Sequence, residues 1–600
     1  MNRRGTLGSP AVLFGSAVRA AGLRRLGYNG ARGHRGVSAA VPAPPALVPF
    51  PSRLALASLL PILGLLPPET RGEALAGAAA LAAVLAVLRW PAAAVRGRGL
   101  AAIVIGVALA ALSARAGLAP AAAVEPVGLA VLAAAVGLAA STFVADRPFV
   151  LSGVGIAAAV GSAAAAHGVY QKLWGLERLA EILVSDPLLP DRAAVLRKLE
   201  AGRAFAGFAT PAALGGFLAL TLPLAIGLAA GSRGPRRAAW IVAAALQIAG
   251  LTATASVTAV VALAAAGLFS LLVWRRTRTA LLGGLAALLI LLAVVGIQRG
   301  GSLDPSDPAG PWLQRAANWR AALQVARDHP WLGVGPGGFA EASLAHRRPG
   351  DNQARHAHDL PLELAAETGW PGAVLGSAVF FALFLGPVWQ ERSRPSEAWR
   401  RAAAIGLASF ALHNLADFTC FMPSILWTAA ILRGFLARPH SMQTEHAADW
   451  LRATALSAVI VVALTAALSG LGRELRVAAR AAAHAGDEAT ALDLATRAVR
   501  LAPWDIDAVL ALAGATVGEA APFRLPAERQ TLALERAERA VRLAPTRSAA
   551  RDLRARARLA NGDLAGALAD WEQAARFDPG RPDHVRARDA ARRALAAVWR

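Results

Sequence analysis

Residues 211–230 read Pro-Ala-Ala-Leu-Gly-Gly-Phe-Leu-Ala-Leu-Thr-Leu-Pro-Leu-Ala-Ile-Gly-Leu-Ala-Ala, and the next seven are Gly231-Ser-Arg233-Gly-Pro-Arg236-Arg237. An uncharged apolar run of this length is what a helix needs to cross a bilayer, about 20 residues, and the arginines behind it mark the cytoplasmic end. The same alternation runs through the first three quarters of the chain. Spans are expected at 47–66, 75–88, 100–118, 124–144, 149–170, 211–230, 238–252, 257–274, 280–297, 371–388, 402–415, 421–436 and 453–471, about thirteen in all. The fold class is therefore all-α: a polytopic membrane bundle over 47–472, followed by a helical domain over 473–600.

Composition agrees. Of 600 residues 56% are hydrophobic and 17% charged, with mean hydropathy +0.46, far from the quarter of charged residues usual in a soluble domain. The net charge of +23 invites a nucleic-acid reading. A nucleic-acid binder gathers its basic residues on one face, whereas these arginines are distributed between apolar runs, so no nucleic acid is expected as a partner. The single cysteine, Cys420, excludes an intramolecular disulfide framework and a cysteine-cluster metal site. Residues 1–46 form a basic tail without the compact apolar stretch and cleavage site of a secretory signal, and are read as cytoplasmic.

With the N-terminus inside, every second connection should be rich in arginine. Arg89, Arg96 and Arg98, then Arg233, Arg236 and Arg237, then Arg275, Arg276 and Arg278, then Arg392, Arg394, Arg400 and Arg401 fit that rule. The loop at Asp146 and Arg147 is uninformative. Residues 238–252 and 257–274 also fit one long helix, an alternative that inverts everything downstream. Two outside segments, 171–210 and 298–360, exceed the length of simple connectors, and long loops of this kind carry function.

The second of these loops holds the most specific pattern. It reads Arg315-Ala-Ala-Asn-Trp319-Arg320, then Asp328-His329-Pro330-Trp-Leu-Gly333-Val-Gly335-Pro336-Gly337-Gly338-Phe339, then His356-Ala-His358-Asp359, then Glu367-Thr-Gly369-Trp-Pro-Gly372. Gly333-x-Gly335-x-x-Gly338 fits the dinucleotide-binding expression, but no expected strand precedes it and no βαβ unit surrounds it. A tight turn that aims the preceding helix back at the membrane is the better role.

In order and content these elements resemble the O-antigen ligase and polysaccharide polymerase superfamily, over a ligase-like core spanning 203–436. The first outside loop ends Arg203-Ala-Phe205-Ala-Gly207-Phe208-Ala-Thr-Pro211, similar to that family's entry into a span, with Ala209 and Thr210 in place of its usual Asn-Pro-Asn. Ser256-Val-Thr258 stands where many members have Ser-Arg-Gly. Asp359 replaces an asparagine while keeping a helix-capping oxygen. His413-Asn-Leu-Ala-Asp417-Phe418 matches a late His and Asp-Phe pair.

The resemblance implies an enzyme of the bacterial cytoplasmic membrane that takes a glycan from a polyprenyl diphosphate, undecaprenyl diphosphate for example. It passes the glycan to a glycan, lipid or protein hydroxyl on the outer side, in lipopolysaccharide or other cell-envelope polysaccharide biosynthesis. A departing diphosphate calls for fixed positive donors, and arginine offers a bidentate fork suited to phosphate. Arg203 and Arg315 are the candidates, with His358 as the base for the acceptor hydroxyl. Arg320, His356 and Glu367 are secondary candidates for substrate binding. No acidic metal-binding cluster stands out in an outside loop, so neither a metal nor another cofactor is expected. Taken singly, each arginine reads as a solvated charge or headgroup anchor, and His356 as a neighbour titrating with solvent. Packing and internal pairing are the simpler roles for Glu367, His413 and Asp417.

Beyond residue 472 three segments repeat: Arg497-Ala-Val-Arg-Leu-Ala-Pro503, Arg539-Ala-Val-Arg-Leu-Ala-Pro545 and Gln573-Ala-Ala-Arg-Phe-Asp-Pro579. Their spacing fits the tetratricopeptide period of about 34 residues, with an insertion near 518–525, and an alanine-rich bundle is the alternative. Such arrays offer a groove to a protein partner. Two classes of function stay open: a lipid-linked glycan transferase (ligase, polymerase or protein O-oligosaccharyltransferase) and a non-catalytic scaffold or transporter with a docking arm. No internal repeat among the spans speaks for a transporter.

Overall fold

A computed structural model describes residues 112–113, 120–141, 143–185, 199–274, 278–299, 310–348, 351–392, 397–437, 449–518 and 526–598. The expected tail at 1–46, the spans at 47–66 and 75–88 and nearly all of that at 100–118 lie outside these residues. So do Arg89, Arg96, Arg98, Arg275, Arg276, Arg394 and the insertion at 519–525.

Among the described residues every regular element is helical. In chain order these are α1 (Val124–Ser141), α2 (Arg147–Tyr170), α3 (Leu176–Ser185), α4 (Pro211–Gly231), α5 (Gly234–Thr254), α6 (Val257–Val273), α7 (Arg278–Arg299), α8 (Pro311–Asp328), α9 (Leu360–Gln390), α10 (Ala398–His413) and α11 (Pro423–Phe435). They are followed by α12 (Asp449–His484), α13 (Glu488–Leu501), α14 (Ile506–Val517), α15 (Ala527–Leu543), α16 (Ser548–Ala560), α17 (Leu564–Phe577) and α18 (Pro582–Val598). Five helices are long and apolar enough to cross a membrane: Arg147–Ile182, Pro211–Gly231, Gly234–Thr254, Leu282–Arg299 and Leu360–Gln390. The expected spans at 124–144 and 257–274 appear as shorter apolar helices. That at 453–471 forms the first part of α12, one uninterrupted helix that runs on into the C-terminal region.

Helix α4 is the centre of the bundle. Its apolar window is 89% buried, against 6% for that of α7, which leaves α7 on the periphery. Lipid tails are as apolar as leucine, so membrane helices associate by close packing across small residues. Gly216 of α4 faces the His413 ring, Gly227 faces Ala402, and Gly406 of α10 faces the Leu220 carbonyl, each too tightly for a side chain. Between α2, α4 and α5 sits a buried polar knot in which Thr221 Oγ1 donates to Gln247 Oε1 at 2.8 Å and Gln247 Nε2 donates to the Ala158 carbonyl at 2.9 Å.

Several of the arginine-rich connections come together at one end of the bundle. Trp274 Nε1 donates to the Val388 carbonyl at 2.7 Å, and Arg401 lies over the Trp274 ring, joining the ends of α6 and α9 to the start of α10. Arg147 pairs with Glu397 at 2.6 Å, which assigns the uninformative loop before α2 to this same basic end. The α5–α6 alternative is also decided. Ala255 takes a left-handed conformation (φ 46°), Ser256 caps α6 through its Oγ, and the pair is two helices.

In the C-terminal region the three repeated motifs end their helices alike. The N–H groups of Ala502, Ala544 and Asp578 each bond the carbonyl four residues back, and a new helix starts a few residues later at Ile506, Ser548 and Pro582.

Candidate active site

At the end of the bundle opposite the arginine-rich loops, the break between α5 and α6 leaves helix-terminal carbonyls without helical partners. Two arginines fill them. Arg203 Nε donates to the Thr254 carbonyl at 2.9 Å, and Arg299 Nη1 donates to the Ala255 carbonyl at 3.4 Å. The segment carrying Arg203 is fixed by Gln171, whose Oε1 accepts from the Phe205 and Ala206 N–H groups at 2.7 and 2.8 Å. Thr210 then caps α4 with Pro211 in its first turn, so the hydroxyl does here what an asparagine would do.

Arg315, on α8, lines the same cavity as Arg203 and Arg299, with Ser256, Thr258 and Trp312. Its Nη2 bonds Asp417 Oδ2 at 3.3 Å, and Asp417 is buried. Burial first, then the like charges of Arg299 and Arg315, lowers the Arg203 pKa to about 10, which still leaves it charged at neutral pH. Three arginines thus line one cavity, and no carboxylate is among its lining residues. That imbalance makes it a place for an anion.

His358 completes the cluster. It sits at φ +60°, its Nδ1 lies 3.8 Å from Asp417 Oδ1, and its ring meets Phe418 edge-on at 4.6 Å. Burial, with a smaller contribution from Arg315 and His356 against the opposing pull of Asp417, lowers its pKa to about 4. The imidazole is therefore neutral at physiological pH and able to accept a proton. Asp359, the next residue, caps α9 through Oδ1 on the Leu362 N–H at 2.9 Å.

The secondary candidates are engaged elsewhere. His356, two residues before His358, has Nδ1 2.6 Å from Glu363 Oε1, and its ring is stacked on Phe418 and Phe421. It is a packed, paired histidine rather than one open to solvent. Arg320 bonds Asp351 at 2.6 Å and does not line the arginine cavity. Glu367 is buried against the glycine turn, with Oε1 accepting from the Phe339 N–H at 3.4 Å.

That turn is a splice onto α9. Val334 N–H donates to Ala366 O and Gly335 N–H to Glu367 O, both at 2.9 Å, while Ser113 Oγ donates to the carbonyls of Leu332 and Glu367. Gly333 lies so close to the Glu367–Thr368 backbone that a Cβ would stand 2.2 Å from the Glu367 carbonyl carbon. With no strand among the described residues, the nucleotide-binding alternative has no structural basis.

Sequence reasoning missed Arg299 and Gln171, and read Asp417 as packed or internally paired, without naming Arg315 as its partner. The available signal for Arg299 was a lone charge closing an apolar run on the outer side. Thr258 adds to the site: its Oγ1 lies 3.4 Å from His413 Nε2, while His413 Nδ1 faces Thr419 Oγ1 at 3.4 Å.

Residues 242–377 match the family described as O-antigen ligase, under a quarter of the chain but enough to include Arg299, Arg315, Arg320, His356, His358 and Glu367. No curated protein and no solved structure matches the chain. The chain is thus a multi-pass membrane protein whose residues 242–377 are similar to the O-antigen ligase family.

Proposed function

We propose that this O-antigen ligase-type membrane protein transfers a glycan from a polyprenyl diphosphate carrier to an acceptor hydroxyl on the outer side of the bacterial cytoplasmic membrane. The observation that carries the proposal is the convergence of Arg203, Arg299 and Arg315 on one cavity beside Asp417 and His358.

The bond that breaks joins the sugar to the carrier diphosphate, and the electron pair leaves on a phosphate oxygen. The guanidinium groups are charged before the reaction and fixed by backbone carbonyls and Asp417, so they meet that developing charge without reorganising. His358 takes the acceptor proton. A neutral imidazole has one unprotonated ring nitrogen, and that nitrogen is the proton acceptor in this scheme. Asp417 then stabilises the imidazolium that forms. No step in this scheme needs a metal. Asp417, the carboxylate beside these groups, already bonds Arg315.

Residues 473–600 act as a tetratricopeptide-like domain outside the cytoplasm, a reading supported by the equal helix terminators of the three motifs. The natural ligand of such an array is a protein or peptide, and a protein acceptor would make the chain an O-oligosaccharyltransferase.

The test is a transfer assay with purified protein, a polyprenyl-diphosphate glycan and lipid, glycan and protein acceptors. His358→Ala should lower turnover by about 10²- to 10⁴-fold with donor binding spared. Absence of transfer to any acceptor would leave the docking scaffold as the better reading.

A further inference from the structure

The loop after the glycine turn is held from the C-terminal region. Arg347 Nη1 donates to Asp578 Oδ1 at 3.3 Å, and its Nη2 donates to the Asp351 carbonyl at 2.9 Å. Asp351 Oδ2 accepts from Arg320 Nη2 at 2.6 Å, and the Asn352 N–H donates to Gln314 Oε1 at 2.8 Å. Gln314 and Arg320 lie on α8 on either side of Arg315, so the loop grips that helix at two points around the proposed phosphate-binding residue. A second tie runs from Arg547 to Glu341 at 2.6 Å, with Asp507 on the same guanidinium at 2.7 Å.

These are not surface pairs. Asp578 is 5% exposed and Glu341 13%, so losing a partner strands a charge away from water.

We propose that the C-terminal helical region is a positioning arm for the candidate site: Asp578 and Arg547 hold residues 339–348, and through Arg347 they hold Asp351 and Asn352 against the helix that carries Arg315. As far as activity is concerned this rests on the proposed function. Since coupling of binding equilibria is reciprocal, a molecule that binds the arm and loosens these ion pairs must weaken donor binding by the same factor by which donor weakens its own. Neither Arg347 nor Asp578 touches the reacting groups. They act through Asp351, Gln314 and Arg320.

The full-length protein serves for the test. Hydrogen exchange across 339–352 should accelerate in Asp578→Ala and in Arg547→Ala, stay near wild type in Asp578→Glu, and be unaltered in α4. In the transfer assay Asp578→Ala should raise the donor KM about fivefold or more, the low end of coupling between linked sites, with kcat little changed. The Arg347→Ala, Asp578→Ala double variant should be no worse than Arg347→Ala alone. Unchanged exchange over 339–352 overturns the proposal, as does a loss confined to kcat or additive losses in the double variant. If the wild-type chain transfers no lipid-linked glycan, the proposed function fails while the exchange data still decide whether the arm holds the loop.

Discussion

His358 Nδ1 stands 3.8 Å from Asp417 Oδ1, although the two residues come from opposite flanks of the α9–α10 hairpin. The contact exists because the Leu360 N–H bonds the Asn414 carbonyl at 2.9 Å, pinning the start of α9 to the turn that follows α10. Asp417 also bonds Arg315 at 3.3 Å, so one buried carboxylate stands beside both the proposed base and a proposed phosphate ligand.

The protonation of His358 fixes the acid side of the pH profile. Its pKa is lowered from the ordinary 6.5 to about 4, so between those values the unfolded chain holds a proton that the folded chain does not. Its contribution to stability is complete above the unfolded value and is lost as pH falls toward the folded one. The acid limb of kcat/KM, which reports the free enzyme, should accordingly lie near pH 4 to 5. Asp417→Asn removes a charge that favours the imidazolium and should move the limb lower still. A limb near 6.5 would mean that the titrating base is a solvent-exposed group.

How much of this was legible beforehand depends on whether a neighbour in sequence or a neighbour in space decides the role. The spans, the arginine-rich end, the Thr210 and Asp359 caps and the glycine turn follow from local chemistry, and the sequence carries that chemistry openly. His356 meets Glu363 while His358, at φ +60°, lies near Asp417, and no local signal in the sequence records which of the two takes which place. Arg299 matters only because the outer end of α7 meets the left-handed break at Ala255, a junction visible once the helices are packed. Glu367 has the composition of a site residue and the surroundings of a structural one.

Gly333 gives a stability prediction with an internal control. Alanine there faces both a left-handed backbone and a collision with the Glu367–Thr368 peptide, so Gly333→Ala should cost about 2 kcal/mol or more and reduce the yield of folded, active protein. Gly486 has φ +81° and open space around it, and Gly486→Ala should cost only about 1 kcal/mol. Thermal unfolding in detergent compares the two, and equal shifts would show that the splice onto α9 is looser than described.

A C-terminus outside the cytoplasm belongs to the proposed function. The expected count of about thirteen spans from a cytoplasmic N-terminus ends there, and the Arg347–Asp578 and Arg547–Glu341 pairs put the last helices beside the same loop as the arginine cavity. A reporter that works only outside the cytoplasm, fused after Arg600, should be active. Activity of a cytoplasm-only reporter at the same position would require a different number of spans and a different partner for Arg347.

Arg315 separates charge from geometry. Its Nη2 is committed to Asp417, and the residue lines the cavity shared with Arg203 and Arg299. Lysine keeps the charge but concentrates it on one ammonium, which cannot hold the carboxylate and present a bidentate face to phosphate at once. Arg315→Lys should therefore lower kcat/KM by about 10²-fold, the usual loss when one pre-set electrostatic donor is removed. Arg236→Lys, exposed at the opposite end of the bundle, should be silent. The comparison is made with one lipid-linked donor and one acceptor in the same detergent. Near-normal transfer by Arg315→Lys would mean that long-range attraction alone gathers the diphosphate, and the aligned fork would lose its place in the mechanism.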